Sequence, residues 1–128
     1  MLEDKKRAWL YCRVANGDPE LMEAQRNELL RHAKSIGYEV VGESHDTGSG
    51  RCIDRKGIKE VSAAAASGQM DAVLIKGISC LGRDTIPTLA YITQLNQWGV
   101  EAVSAAEGTI KITAQDEAVS HIVNTMQM

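Results

Sequence analysis

No apolar run in this 128-residue chain is long enough to cross a bilayer. The opening residues, Met1-Leu2-Glu3-Asp4-Lys5-Lys6-Arg7, lack the apolar stretch of a secretory leader, so the cytoplasm is the expected compartment and no membrane partner is expected. Cysteine is scarce and badly spaced for a framework. Cys12, Cys52 and Cys80 are odd in number and far apart, which suits neither a disulfide set nor the paired ligands of a zinc site. His32, His45 and His121 are just as scattered and read as surface histidines, and neither a metal nor a cofactor is expected. Positive charge is also short. A net charge of −3 removes the bulk attraction to nucleic acid that an autonomous DNA binder displays, leaving room only for a local basic patch. With no P-loop and no GxGxxG, nucleotide binding has no motif behind it.

What the chain does have is alternation. Residues 8–14 read as a strand, 20–36 as an amphipathic helix stopped by Gly37, and 38–43 as a second strand. A loop signature covers 46–54, with Gly48, Ser49 and Gly50 set among charges. An alanine-rich helix follows over 56–67, closed by Gly68. The run Asp71-Ala72-Val73-Leu74-Ile75-Lys76 is the clearest buried strand. A third helix spans 84–98, a fourth strand 100–105, a short fifth strand 109–112 and a last helix 113–126. Such alternation predicts an α/β domain of three layers, α/β/α, around a mostly parallel sheet of about five strands.

In a sheet of this kind ligands collect at the carboxyl ends of the strands. Arg13 ends the first strand, Asp46 follows the second, and Lys76 to Arg83 follow the third, with Arg51 and Arg55 on the intervening loop. Converging arginines suit a phosphate, because a guanidinium donates in pairs and stays charged. Strand alternation puts Tyr11, Arg13 and Ala15 on one side and Cys12 and Val14 on the other. The turn after the strand is where an α/β enzyme would mount a nucleophile, and it carries alanine.

Taken together, Tyr11-x-Arg13-Val14, Gln25, Asp46-x-x-Ser49-Gly50 with Asp54-Arg55, and Leu81-Gly82-Arg83 resemble the catalytic domain of the serine recombinases, in register from about residue 8 to residue 112. The resemblance implies a resolvase-like fold and a metal-free chemistry, in which a serine attacks the DNA phosphodiester while arginines hold the phosphate. On that likeness the site comprises Tyr11, Arg13, Ala15, Gln25, Asp46, Ser49, Arg55, Ser79, Cys80 and Arg83.

Two positions depart from the family pattern. The nucleophilic serine falls on Ala15, and one arginine of an Arg-x-x-Arg pair falls on Cys80, while its mate remains as Arg83. Ser79 stands where many small resolvases carry aspartate. Alanine has no lone pair with which to attack phosphorus, so the expectation is a catalytically inactive recombinase-like domain. Its expected partners are the DNA phosphate backbone, held weakly, and a second copy or an active recombinase in a dimer. Only about four turns of a C-terminal helix are expected where the family continues into a long one, and residues 1–128 read as one domain without a DNA-binding module.

Competing readings remain open. Arg13 is either a phosphate ligand or a strand-end cation neutralised by Glu43 or Asp46. Arg51 reads as a solvated loop charge. Gln25 is either a site residue or helix-surface polarity, and Tyr11 either a participant or a core aromatic with a satisfied hydroxyl. Ser79 and Cys80 also read as turn formers alone. For the whole chain, the alternatives are an active recombinase whose nucleophile is Thr47, Ser49, Ser79 or a group from a partner chain, or an unrelated α/β domain that binds a small anion.

Overall fold

The computed structural model of the chain describes residues 5–15, 18–48, 56–81 and 85–110. At its centre lies β1 (Arg7–Val14), which is fully buried from Leu10 onward. It pairs in parallel with β2 (Glu39–Thr47) on one side and β3 (Ala72–Ile75) on the other. β4 (Glu101–Ser104) adds in parallel to β3, and β5 (Gly108–Ile110) closes the sheet antiparallel to β4. The order is β2-β1-β3-β4-β5, so the chain leaves β1 in one direction, then crosses back to place β3 on its other side.

Three helices make the crossovers that parallel pairing requires. α1 (Pro19–Ser35) begins where the Asp18 carboxylate accepts the Glu20 N–H at 2.9 Å, with proline in the first turn, where its missing N–H costs nothing. It ends at Gly37, whose φ of 77° opens the left-handed exit that a side chain would oppose. α2 (Lys56–Ala66) and α3 (Thr85–Gln97) complete the set. Alternation along β1 sorts the core into two faces. Ala8, Leu10 and Cys12 meet Leu29 and Ala33 of α1, together with Ala72, Leu74 and Val103. Tyr11 belongs to the other face, with Ile58 and Val61 of α2 and Ile92 and Leu95 of α3.

The three-layer α/β/α reading therefore holds, with two boundary differences. β2 reaches Thr47, so Asp46 is a strand residue rather than the start of a loop. The register with β1 explains this: Arg13 pairs with Asp46 and Val14 with Thr47, and the ladder carries residues of loop-forming type to its end. β5 starts one residue earlier than expected and runs against its neighbour. The helix expected over 113–126 lies outside the described residues. No helix among the described residues is long and apolar enough to cross a membrane.

Candidate functional site: an arginine at the end of the central strand

The site grows from the carboxyl end of β1. Arg13 is buried, at 7% exposure, and its backbone is held in an unusual way. Its N–H donates to the Gln25 Oε1 at 2.8 Å, and its carbonyl accepts from Gln25 Nε2 at 3.2 Å. The topology explains why. In a parallel strand, alternate residues present N–H and C=O to the same edge. The Arg7 carbonyl faces β3, where it accepts from the Asp71 N–H, so Arg13 faces that edge too. The ladder with β3, however, extends only to Leu10 and Leu74. The Gln25 amide, reaching over from α1, supplies the donor and acceptor that a longer β3 would have offered.

The Arg13 guanidinium is anchored by one nitrogen. Nη2 donates to the Ser79 carbonyl at 3.1 Å, within the 3₁₀ turn Ile78–Cys80. Nη1 is buried and, among the described residues, has no hydrogen-bond partner. The carboxylates named as neutralising partners are engaged elsewhere: Glu43 Oε2 accepts from Arg26 Nε at 2.6 Å, and Asp46 serves α2. A buried cationic donor left without an acceptor carries a desolvation cost.

Asp46 gathers three donors. Its Oδ2 accepts from the Tyr11 hydroxyl at 2.7 Å and the Ile58 N–H at 3.1 Å, and its Oδ1 accepts from the Gly57 N–H at 2.8 Å. The carboxylate thus holds the first turn of α2, where free N–H groups and the helix dipole favour negative charge. Burial, then the bond and charge of Asp46, push the Tyr11 phenol well above its ordinary value. Tyr11 is accordingly a neutral donor near pH 7, and its hydroxyl is satisfied.

Gly57 is the member of this cluster that sequence reasoning missed. A Cβ there would sit 2.6 Å from the His45 carbonyl oxygen and 2.8 Å from Asp46 Oδ2. Only glycine lets α2 come down onto the end of β2. Its one sequence signal is a glycine in the opening turn of a helix, where a better helix former would be expected.

Ser79 gives Arg13 its carbonyl and keeps an exposed side chain, while Cys80 is half-buried and packs against the Tyr11 face. Ala15 is exposed just past β1 and lines a cleft of about 260 Å³ with Val14, Leu21, Ala24, Gln25, Glu28 and Lys76. Hydrogen bonds thus join Tyr11 to Asp46 and, separately, Arg13 to Gln25 and Ser79. Ser49, Arg55 and Arg83, like Arg51, lie outside the described residues. Cys12 points to the α1 face, where burial and the nearby Glu43 push its thiol up to about 12, far from a nucleophilic thiolate. No group of side chains able to hold a metal occurs among the described residues.

The C-terminal catalytic domain of ISC1926 TnpA, an IS607-like serine recombinase, is 28% identical, with a TM-score of 0.73 over 90% of this chain and 77% of that one. A resolvase family site-specific recombinase from Streptococcus pneumoniae is 24% identical, with a TM-score of 0.76 over 96% of this chain and 89% of that one. The N-terminal catalytic domain of TP901-1 integrase is 21% identical, with a TM-score of 0.75 over 95% and 94%. The latter two establish likeness of fold alone. The family model described as the resolvase N-terminal domain matches residues 8–128. The chain therefore belongs to the resolvase family, as a serine-recombinase-like domain of the kind associated with DNA recombination.

Proposed function

We propose that this domain binds a DNA phosphate without cutting the strand. The observation that carries the reading is Arg13: a buried guanidinium whose Nη1 has no partner among the described residues, at the end of a strand followed by Ala15 where the family's serine would fall. Covalent strand transfer needs an atom that attacks phosphorus and departs later, and a methyl group supplies none. Two side chains of the same strand are poor nucleophiles. Tyr11 is a bound, neutral phenol, and Cys12 is a buried thiol on the far face. Cys80 replaces a second guanidinium with an uncharged side chain, which weakens transition-state stabilisation as well as binding. The domain then acts by occupancy, on DNA and in a dimer with a second copy or an active recombinase.

A nicking assay on supercoiled plasmid, with denaturing gels for covalent adducts, tests this. No nick and no adduct are expected, and any adduct on this chain sinks the reading. Ala15→Ser alone is expected to remain far below a full recombinase, whereas Ala15→Ser with Cys80→Arg should recover measurable nicking. DNA affinity should fall steeply with salt and drop further in Arg13→Gln. One observation favours a second reading, an active enzyme with a displaced nucleophile: the Ser79 main chain is bound to Arg13 while its side chain is exposed. An adduct mapped to Ser79 would establish it.

A further inference from the structure

The strand order reverses between β1 and β3, and in open α/β sheets the crevice outside the strand ends at such a point is a natural ligand site. This chain has a trough there, on the α1 side and distinct from the Arg13 guanidinium. One lobe is the 260 Å³ cleft between Ala15, after β1, and Lys76, after β3. The second lobe, of about 510 Å³, shares Glu28 and Lys76 with the first and continues along Arg31, His32 and Ser35 of α1, opposite Ala105 and Ala106. Both volumes are of the order of a small-molecule pocket.

The two lobes differ in chemistry. The first has an aliphatic wall of Val14, Leu21 and Ala24, in which Leu21 is 57% exposed. The second collects Arg31, His32 and Lys76, and neither Arg31 nor Lys76 has a carboxylate partner among the described residues. Glu28 lines both lobes where they join, and its carboxylate is placed to accept from hydroxyl groups there.

From this we infer that the trough binds a phosphate monoester carrying a flat apolar body, with the size and polarity of a nucleoside monophosphate. The phosphate lies against Arg31, His32 and Lys76, the hydroxyl-bearing middle at Glu28, and the ring on Leu21 and Ala24. A single phosphate held by side-chain cations needs no glycine-rich loop, so the missing fingerprint does not speak against it.

Titrating the full chain with AMP, followed by amide chemical shifts and calorimetry, tests the inference. Saturable binding is expected, with shifts at Ala15, Ala24, Lys76 and Ala105. Lys76→Gln and Arg31→Gln should each weaken it about tenfold, as loss of one charge-assisted hydrogen bond does. Inorganic phosphate should displace AMP with lower affinity, since it lacks the part that covers Leu21. Arg13→Gln should leave AMP binding intact, so that failure of the DNA-phosphate reading and of this one are told apart. No saturation at millimolar AMP, affinity unchanged in both cation variants, shifts confined to Arg13 and Ser79, or binding by a DNA duplex but not AMP would each overturn it.

Discussion

The two faces of the sheet are built by different means. Against α1 the buried contact is largely apolar: Leu10, Cys12, Leu74 and Val103 meet Leu29 and Ala33, Gln25 spends both its groups on the Arg13 backbone, and the Arg26–Glu43 ion pair lies at the exposed edge. Against α2 and α3 the apolar contact is threaded with side-chain hydrogen bonds. Trp9 Nε1 donates to Ser44 Oγ at 2.8 Å, Tyr11 reaches Asp46, and the Ser62 and Tyr91 hydroxyls meet at 2.8 Å. Apolar packing tolerates small sliding, whereas hydrogen bonds fix direction. The difference teaches that the positioning work is concentrated on the face that carries the Arg13 side chain. The α1 face supplies burial and, along its flank, an open trough.

Asp46→Ala should break this contrast most. It strips the acceptor from a buried phenol and two buried N–H groups at once, at a cost of about 3 kcal/mol or more in urea unfolding. Asp46→Asn keeps part of the acceptor capacity and should lose roughly half as much. A loss below about 1 kcal/mol for the alanine variant would mean that the network does not hold α2 down. Gly57→Ala attacks the same junction from the other side. Its Cβ must push α2 away from the His45 carbonyl, and overpacking of this kind costs about 2 kcal/mol. Amide exchange at Gly57 and Ile58 should speed up in both variants, with Leu29 and Ala33 unaffected. Equal loosening of α1 would erase the distinction between the faces.

Much of this contrast was legible in the sequence, for a simple reason. Alternation along residues 8–14 is a local property, and it separated Tyr11 and Arg13 from Cys12 correctly. Helix stops at Gly37, Gly68 and Gly99 were legible because a left-handed exit leaves a glycine behind. What was hidden depends on partners distant in the chain. Asp46 reads as a loop acid until β1 is laid beside it, and only then does the ladder draw it into β2. Gln25 reads either as a site residue or as helix polarity, because nothing local says that β3 stops short of Arg13. Gly57 is visible as a residue, but its purpose lies in a carbonyl twelve positions upstream.

Gln25→Ala sharpens the comparison from the α1 side. It leaves the Arg13 N–H and C=O without partners at a position no strand covers, and should cost about 1.5 kcal/mol. Gln25→Glu keeps the acceptor for the N–H but has no donor for the carbonyl, so it should fall between alanine and wild type. If alanine matches wild type in unfolding, water replaces the amide, and the two faces are independent of each other at this point.

The smallest effect belongs to Cys12, and it probes how tightly the α1 face is closed. Burial, reinforced by Glu43, raises its thiol from an ordinary 9.0 to about 12 in the folded state. The sign follows directly. Below the unfolded value both states keep the proton, and stability is untouched by this group. As pH rises past about 9, the unfolded chain ionises its thiol while the folded chain cannot, so stability declines until the folded value is passed. Unfolding midpoints should therefore be the same at pH 7 and 8 for wild type and Cys12→Ala once a constant offset is removed, and should diverge above pH 9, where only the wild type carries this term. Mass spectrometry after brief alkylation at pH 8 gives the kinetic counterpart: Cys12 should stay unmodified in native protein and react in urea. Rapid native modification would mean that α1 opens readily from its face, and that apolar contact there is looser than the hydrogen-bonded junction opposite.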